Sequence, residues 1–220
     1  MALETIELHP VGPARASVII LHGLGADGTD FLPMCDQLEL GSAGPVRYLL
    51  PRAPVRPVTV NGGHEMRAWY DIAGTQIDRR EDEAGLLASM RDVHRLIDRE
   101  RERGISANRI VLGGFSQGCA MTLLAGLRYP HRLGGLVCLS GYLPLADSTA
   151  RERHGANAEV PIFMAHGRRD GVIALERATA SRDALAKLGY RVEWHEYAME
   201  HSVCMEEVEA INAWLIQVLA

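Results

Sequence analysis

Ser116 sits in Gly114-Phe115-Ser116-Gln117-Gly118, a spacing that can present a serine hydroxyl as a nucleophile. At the tip of a tight strand-to-helix bend, such a serine needs small residues two positions before and after it, where a side chain would collide with neighbouring backbone. Both positions are glycine. In a chain with 22 glycines the same pattern also fits a buried strand–helix turn, so the pentapeptide acquires meaning only with partners.

A serine hydroxyl is a poor nucleophile at neutral pH and needs a base within hydrogen-bond reach, itself oriented by an acid. On an open α/β sheet that carries its nucleophile on such an elbow, acid and histidine follow the serine in chain order, each on a loop at the carboxyl end of a later strand. Asp170 and His201 meet that order. Asp170 follows the apolar run Ile162-Phe163-Met164-Ala165 and the turn His166-Gly167-Arg168-Arg169, whereas Asp147 lies on the preceding loop and Asp183 inside a helical pattern. His201 follows the stretch 192–197 across Ala198-Met199-Glu200; His195 lies within that stretch, and His166 reads as a satisfied structural histidine. A tetrahedral intermediate also needs backbone N–H donors for its oxyanion. Gln117 can supply one, and Leu24 the other, from the glycine-rich loop His22-Gly23-Leu24-Gly25-Ala26-Asp27-Gly28. That loop fits neither G-x-x-x-x-G-K-[ST] nor G-x-G-x-x-G, which argues against a nucleotide site.

These residues need a scaffold that brings distant loops together. Short apolar runs at 17–21, 46–50, 110–112, 136–139 and 162–165 read as strands buried on both faces, which is the pattern of a mostly parallel sheet covered by helices on both sides. Residues 191–197 add a more polar strand nearer an edge. Residues 117–129 read as a helix ended by Pro130, and Leu86, Met90, Val93 and Ile97 put an apolar stripe on a long helix that Gly104 can terminate. Val208, Ile211, Leu215 and Val218 repeat that spacing in a C-terminal helix, and 173–188 supplies another, capped by Gly189. The stretches 51–71 and 142–161 read as site-forming loops, neither long enough for an independent lid.

With 220 residues the chain fits one α/β domain spanning 1–220. A formal charge of -5 gives no general pull toward nucleic acid or anionic lipid. The run Asp98-Arg99-Glu100-Arg101-Glu102-Arg103 reads as a solvated helix end. Cys35, Cys119, Cys138 and Cys204 form no C-x-x-C pair, and the last three fall in segments that read as buried, which suits a reducing compartment. No leader-like start and no run of 18 apolar residues is present, so the expectation is a cytoplasmic protein without stable membrane insertion.

Taken together, His22-Gly23-Leu24-Gly25 with Asp27-Gly28, Pro51 to Pro54, Arg67-Ala68-Trp69-Tyr70-Asp71, Gly113-Gly114-Phe115-Ser116-Gln117-Gly118, His166-Gly167 with Asp170, and Met199-Glu200-His201-Ser202 resemble the small α/β-hydrolase carboxylesterases, a family that includes lysophospholipases and acyl-protein thioesterases. The resemblance runs nearly end to end. It implies the α/β-hydrolase fold without a large lid, Ser116, Asp170 and His201 as the triad, and the Leu24 and Gln117 amides as the oxyanion hole. Trp69 of the Trp-Tyr-Asp segment is expected to line the acyl pocket or to serve as a core aromatic. Cys119 stands where many relatives carry another glycine, and Gly171-Val172-Ile173 replaces a proline often found after the acid loop.

The expected activity is serine carboxylesterase: short to medium acyl esters cleaved through an acyl-enzyme, with no metal or organic cofactor. The same machinery serves a thioesterase, a lysophospholipase or an acyltransferase, since the differences lie in pocket contacts. A catalytically silent binding module would keep the core without needing all three side chains. A small acyl ester is the expected partner, nucleic acid is not, and a homodimer is compatible with the sequence.

Overall fold

The computed structural model describes residues 3–74 and 80–220. Its strands are β1 (Thr5–Leu8), β2 (Ala16–Leu21), β3 (Val46–Pro51), β4 (Val55–Val58), β5 (His64–Arg67), β6 (Ile72–Ala73), β7 (Arg80–Glu81), β8 (Ile110–Phe115), β9 (Gly135–Leu139), β10 (Ile162–Gly167) and β11 (Val192–Tyr197). Seven form the main sheet in the order β1-β3-β2-β8-β9-β10-β11, parallel throughout except that β1 pairs antiparallel with β3. The strands read from continuous apolar runs are all present, and the more polar β11 is an edge. Not foreseen were the half-buried β1 and the β4–β5 hairpin, which folds part of the 51–71 stretch.

The helices are α1 (Leu32–Gln37), α2 (Glu83–Glu102), α3 (Gln117–Arg128), α4 (Ala146–Glu152), α5 (Leu175–Lys187) and α6 (Met205–Val218). Two apolar cores explain why the strands are hydrophobic at every position. Ile19, Leu112, Leu136 and Met164 face one side, packing with Leu86 and Val93 of α2, Leu123 of α3 and Leu185 of α5. Their chain neighbours Val18, Val111, Val137 and Phe163 face the other, against Cys35 of α1 and Val208, Ile211 and Trp214 of α6. Between β9 and β10 lies the short α4, also unforeseen in sequence, entered through Leu145 in the left-handed region at φ 47°. This is the α/β-hydrolase fold, and no large lid is present among the described residues.

Within the charge run 98–103, one residue departs from the expected solvated helix end. Glu100 is completely buried, because distant strands deliver its partners: Ser17 Oγ donates to Oε2 at 2.6 Å and Arg47 Nη1 at 2.8 Å, while Arg103 Nη1 donates to Oε1 at 2.9 Å. Cys204 also differs from expectation; it caps the start of α6 and is half-exposed, whereas Cys35, Cys119 and Cys138 are buried.

Candidate active site

The elbow explains both glycines. Ser116 follows the last residue of β8 and adopts φ 57°, ψ -116°, a strained conformation for a residue with a Cβ. A Cβ on Gly114 would lie 2.4 Å from the Gly118 carbonyl, and one on Gly118 only 2.0 Å from the Leu21 carbonyl oxygen. Nothing larger than glycine fits while the turn brings α3 this close to β2. The Ser116 amide donates to Leu139 O at 2.9 Å, tying the bend to β9.

Acid and base arrive on neighbouring loops, from β10 and β11. Arg168 N–H donates to Tyr197 O at 2.8 Å and Arg169 N–H to Met199 O at 3.0 Å, and a Cβ on Gly167 would sit 2.5 Å from Met199 O. Stitched in this way, the loops place His201 Nδ1 2.7 Å from Asp170 Oδ2 and His201 Nε2 2.9 Å from Ser116 Oγ. The carboxylate can only accept, so Nδ1 carries the proton and Nε2 is left to accept from the serine hydroxyl. The second Asp170 oxygen accepts the Val172 and Ile173 amides at 2.8 and 2.9 Å, bonds a proline nitrogen at either position could not make. Burial works to raise the Asp170 pKa, but the hydrogen bonds from His201, Ile173 and Val172 outweigh it and hold the carboxyl below its ordinary range. Asp147 and Asp183, the competing acids, lie on α4 and α5.

The glycine-rich loop passes directly beside the nucleophile: a Cβ on Gly23 would lie 3.3 Å from Ser116 Cβ. Gly25 takes φ +72° and its amide donates to Arg67 O at 2.8 Å, fastening the loop to β5. Neither the Leu24 nor the Gln117 amide donates a hydrogen bond to the described residues outside regular helix and strand pairing. Gln117 opens α3, where the first amides have no intrahelical acceptor. Alongside lies a cavity of about 420 Å³, lined mainly by apolar groups including Leu24, Phe31, Phe115, Val172 and Val203, with Ser116 and His201 at its wall.

Trp69 does not line that cavity. It is fully buried, and its indole N–H donates to His22 O at 2.9 Å, so it belongs to the support beneath the glycine-rich loop. His22 completes that support: Nδ1–H donates to Gly23 O at 2.7 Å while Nε2 accepts the Ala53 amide at 3.0 Å. Burial lowers the His22 pKa, in keeping with a neutral ring that donates at one nitrogen and accepts at the other. The Gln117 side chain is a third member, accepting the Trp69 amide at 2.7 Å and donating to Tyr70 O at 2.8 Å. These roles were missed in sequence; the adjacency of His22 to the glycines and of Gln117 to the serine was the only local sign of them.

The model of the phospholipase/carboxylesterase family matches residues 4–219. The chain belongs to that family. Within it, the chain is 42% identical over 211 residues to acyl-protein thioesterase 1 of Neurospora crassa, covering 92% of this chain and 86% of that protein. Among solved structures it is similar to SOBER1 of Arabidopsis thaliana, with 32% identity, TM-score 0.89 and coverage of 94% of this chain and all (100%) of the other. Acyl-protein thioesterase 2 of Zea mays gives 30% identity and TM-score 0.87, covering 99% of each chain. The family's members are serine hydrolases, and so is this protein. No helix among the described residues is long and apolar enough to cross a membrane.

Proposed function

We propose that this hydrolase cleaves acyl thioesters, and oxygen esters by the same chemistry, through an acyl-enzyme on Ser116. The observation that carries the reading is the unbroken chain from Ser116 Oγ through both nitrogens of His201 to Asp170, at 2.9 and 2.7 Å. Ser116 Oγ attacks the acyl carbonyl as His201 Nε2 takes its proton; the imidazolium then protonates the departing thiol or alcohol, and water repeats the attack with His201 again as base. Asp170 fixes the tautomer. The Leu24 and Gln117 amides receive the oxyanion, each worth about 2.7–4 kcal/mol in related chemistry. Preference for a thioester over the oxygen-ester substrate expected from sequence follows the Neurospora crassa and Zea mays relatives, both named acyl-protein thioesterases.

Ser116→Ala should lose labelling by a fluorophosphonate and about a million-fold of turnover, the scale of removing a triad serine elsewhere. Retained hydrolysis overturns the reading. Substrate class is settled by kcat/KM for an S-acyl peptide, oxygen esters of graded chain length and a lysophospholipid, measured side by side. The thioester should lead, with short to medium acyl chains favoured; a dominant lysophospholipid activity would replace the substrate assignment while leaving the triad in place.

A further inference from the structure

His166, the penultimate residue of β10, is fully buried, and its environment does not match that of a satisfied core histidine. Its Nε2 lies 2.8 Å from Ile173 O and 3.3 Å from Asp170 Oδ2. The Ile173 carbonyl can only accept, so Nε2 carries the proton, and the carboxylate oxygen is its near neighbour. That leaves Nδ1 as a buried nitrogen with no hydrogen-bond partner among the described residues. An unpaired buried acceptor is destabilising, and an apolar side chain of similar shape would avoid it. Packing alone therefore gives no reason for a histidine here; what only the ring supplies is the N–H that Ile173 O accepts, 3.3 Å from Asp170 Oδ2.

Those two acceptors are the two ends of one turn. Asp170 Oδ1 is already held from residues 172 and 173, and the Asp170 amide donates to Gly167 O at 3.2 Å, so the start of the turn is fixed to β10, while its far end is held at Ile173 O by His166. His166 ties the Ile173 end of the turn to the end of β10 and lies against the Asp170 end, and β10 pairs in register with β11, which leads to His201.

We propose that His166 is a positioning residue for the acid of the triad, its single N–H setting the 170–173 turn so that Asp170 Oδ2 meets His201 Nδ1. The inference rests on the acyl-enzyme reading of Ser116, Asp170 and His201. Asp170 Oδ2 thereby lies between two histidines, hydrogen-bonded to the one that turns over with the reaction and 3.3 Å from the one that does not.

Two variants test it on an activated short-chain ester. His166→Leu removes the donor and keeps apolar bulk, while the side-chain amide of His166→Gln can donate from near the position of Nε2. In the leucine variant kcat should fall about 10- to 100-fold, the scale seen for outer-shell partners of metal-bound histidines, with KM little changed. Weaker carboxylate support for the imidazolium should also move the acid limb of kcat/KM to lower pH. His166→Gln should recover most of both. A folded His166→Leu with wild-type kcat and acid limb overturns the proposal, as does equal impairment of both variants with an unmoved limb. Should the leucine variant fail to fold, ¹⁵N NMR of the wild-type protein keeps the test: a neutral His166 protonated on Nε2 supports the tie to Ile173 O, and an Nδ1–H tautomer sinks it. Turnover that survives Ser116→Ala would remove the underlying mechanism, whereas Ser116-dependent turnover indifferent to His166 removes this inference alone.

Discussion

At the amino ends of the parallel strands, Glu100 is buried with three donors on its carboxylate and lies between Arg47, Arg103 and Ser17. At the carboxyl ends, Asp170 is buried with a comparable set: His201 and two amides, with His166 nearby. Counted as ion pairs and hydrogen bonds, the two sites are alike. They differ in where each chain of bonds ends. The Glu100 network runs on through Arg103 to Glu7, which Arg99 also meets, so charge is met by charge. The Asp170 network ends at a strained serine beside an apolar cavity, near the Leu24 and Gln117 amides, which donate to no turn or loop acceptor among the described residues. A buried carboxylate is thus no sign of chemistry in itself; an open end, held in place at some conformational cost, is.

The comparison breaks most sharply at the two carboxylates. Asp170→Asn keeps the size and allows an amide to donate where a carboxylate accepted, turning the His201 ring to the wrong tautomer. The expected loss in kcat is about 10⁴-fold, with fluorescence-monitored unfolding nearly unchanged. Glu100→Ala should do the reverse. Stripping a buried charge pair of one partner costs about 3–5 kcal/mol, so the denaturation midpoint should drop while kcat per folded molecule stays at the wild-type value. If Glu100→Ala instead cut kcat in the folded enzyme, the separation between the two ends of the sheet would be wrong.

The contrast also marks what the sequence could show. Continuous apolar runs revealed the strands because both faces of this sheet are covered, and the order serine, acid, histidine picked out three side chains that lie in one hydrogen-bonded chain because each follows a legible strand. β1 and the β4–β5 hairpin were not legible, since half-buried segments such as Thr5–Leu8 and Val55–Val58 lack that signature. Nor was the burial of Glu100: its partners Ser17 and Arg47 lie 83 and 53 positions away, and a run of alternating charge on a helix looks the same whether or not a sheet edge covers it. His166 was read as structural for the same reason, its function residing in which atoms its nitrogens face.

A third carboxyl lies between these extremes. Glu207, in the first turn of α6 just after the His201 loop, is fully buried with neither oxygen in a well-formed hydrogen bond among the described residues, and burial pushes its pKa up to about 8, against a smaller opposing effect of the nearby Cys204 backbone. Its folded pKa stands above the ordinary carboxyl value. The stability it contributes is therefore present below that ordinary value and is lost as pH rises through about 8. Glu207→Gln should remove much of this pH dependence and raise stability by roughly 1–3 kcal/mol at pH 9, with little effect at pH 5. Urea titrations of both proteins at the two pH values would show it, and parallel curves for the two would refute it.

The smallest effect tests the support beneath the oxyanion donors. Trp69→Phe keeps an aromatic ring in the core but removes the indole N–H that His22 O accepts, leaving a buried carbonyl short of one donor. Such a loss costs about 1–3 kcal/mol of stability. The consequence for rate depends on how rigidly the next residues are held. His22 is itself bonded to Gly23 O and to the Ala53 amide, and Gly25 to Arg67 O, so Leu24 is flanked by fixed points and its amide should move little. Turnover should then fall less than tenfold, below the 10²–10³ expected for losing an oxyanion donor outright. A drop of that full size in Trp69→Phe would mean that the loop is held from the Trp69 side alone, and that Trp69 governs the oxyanion hole more directly than His22 does.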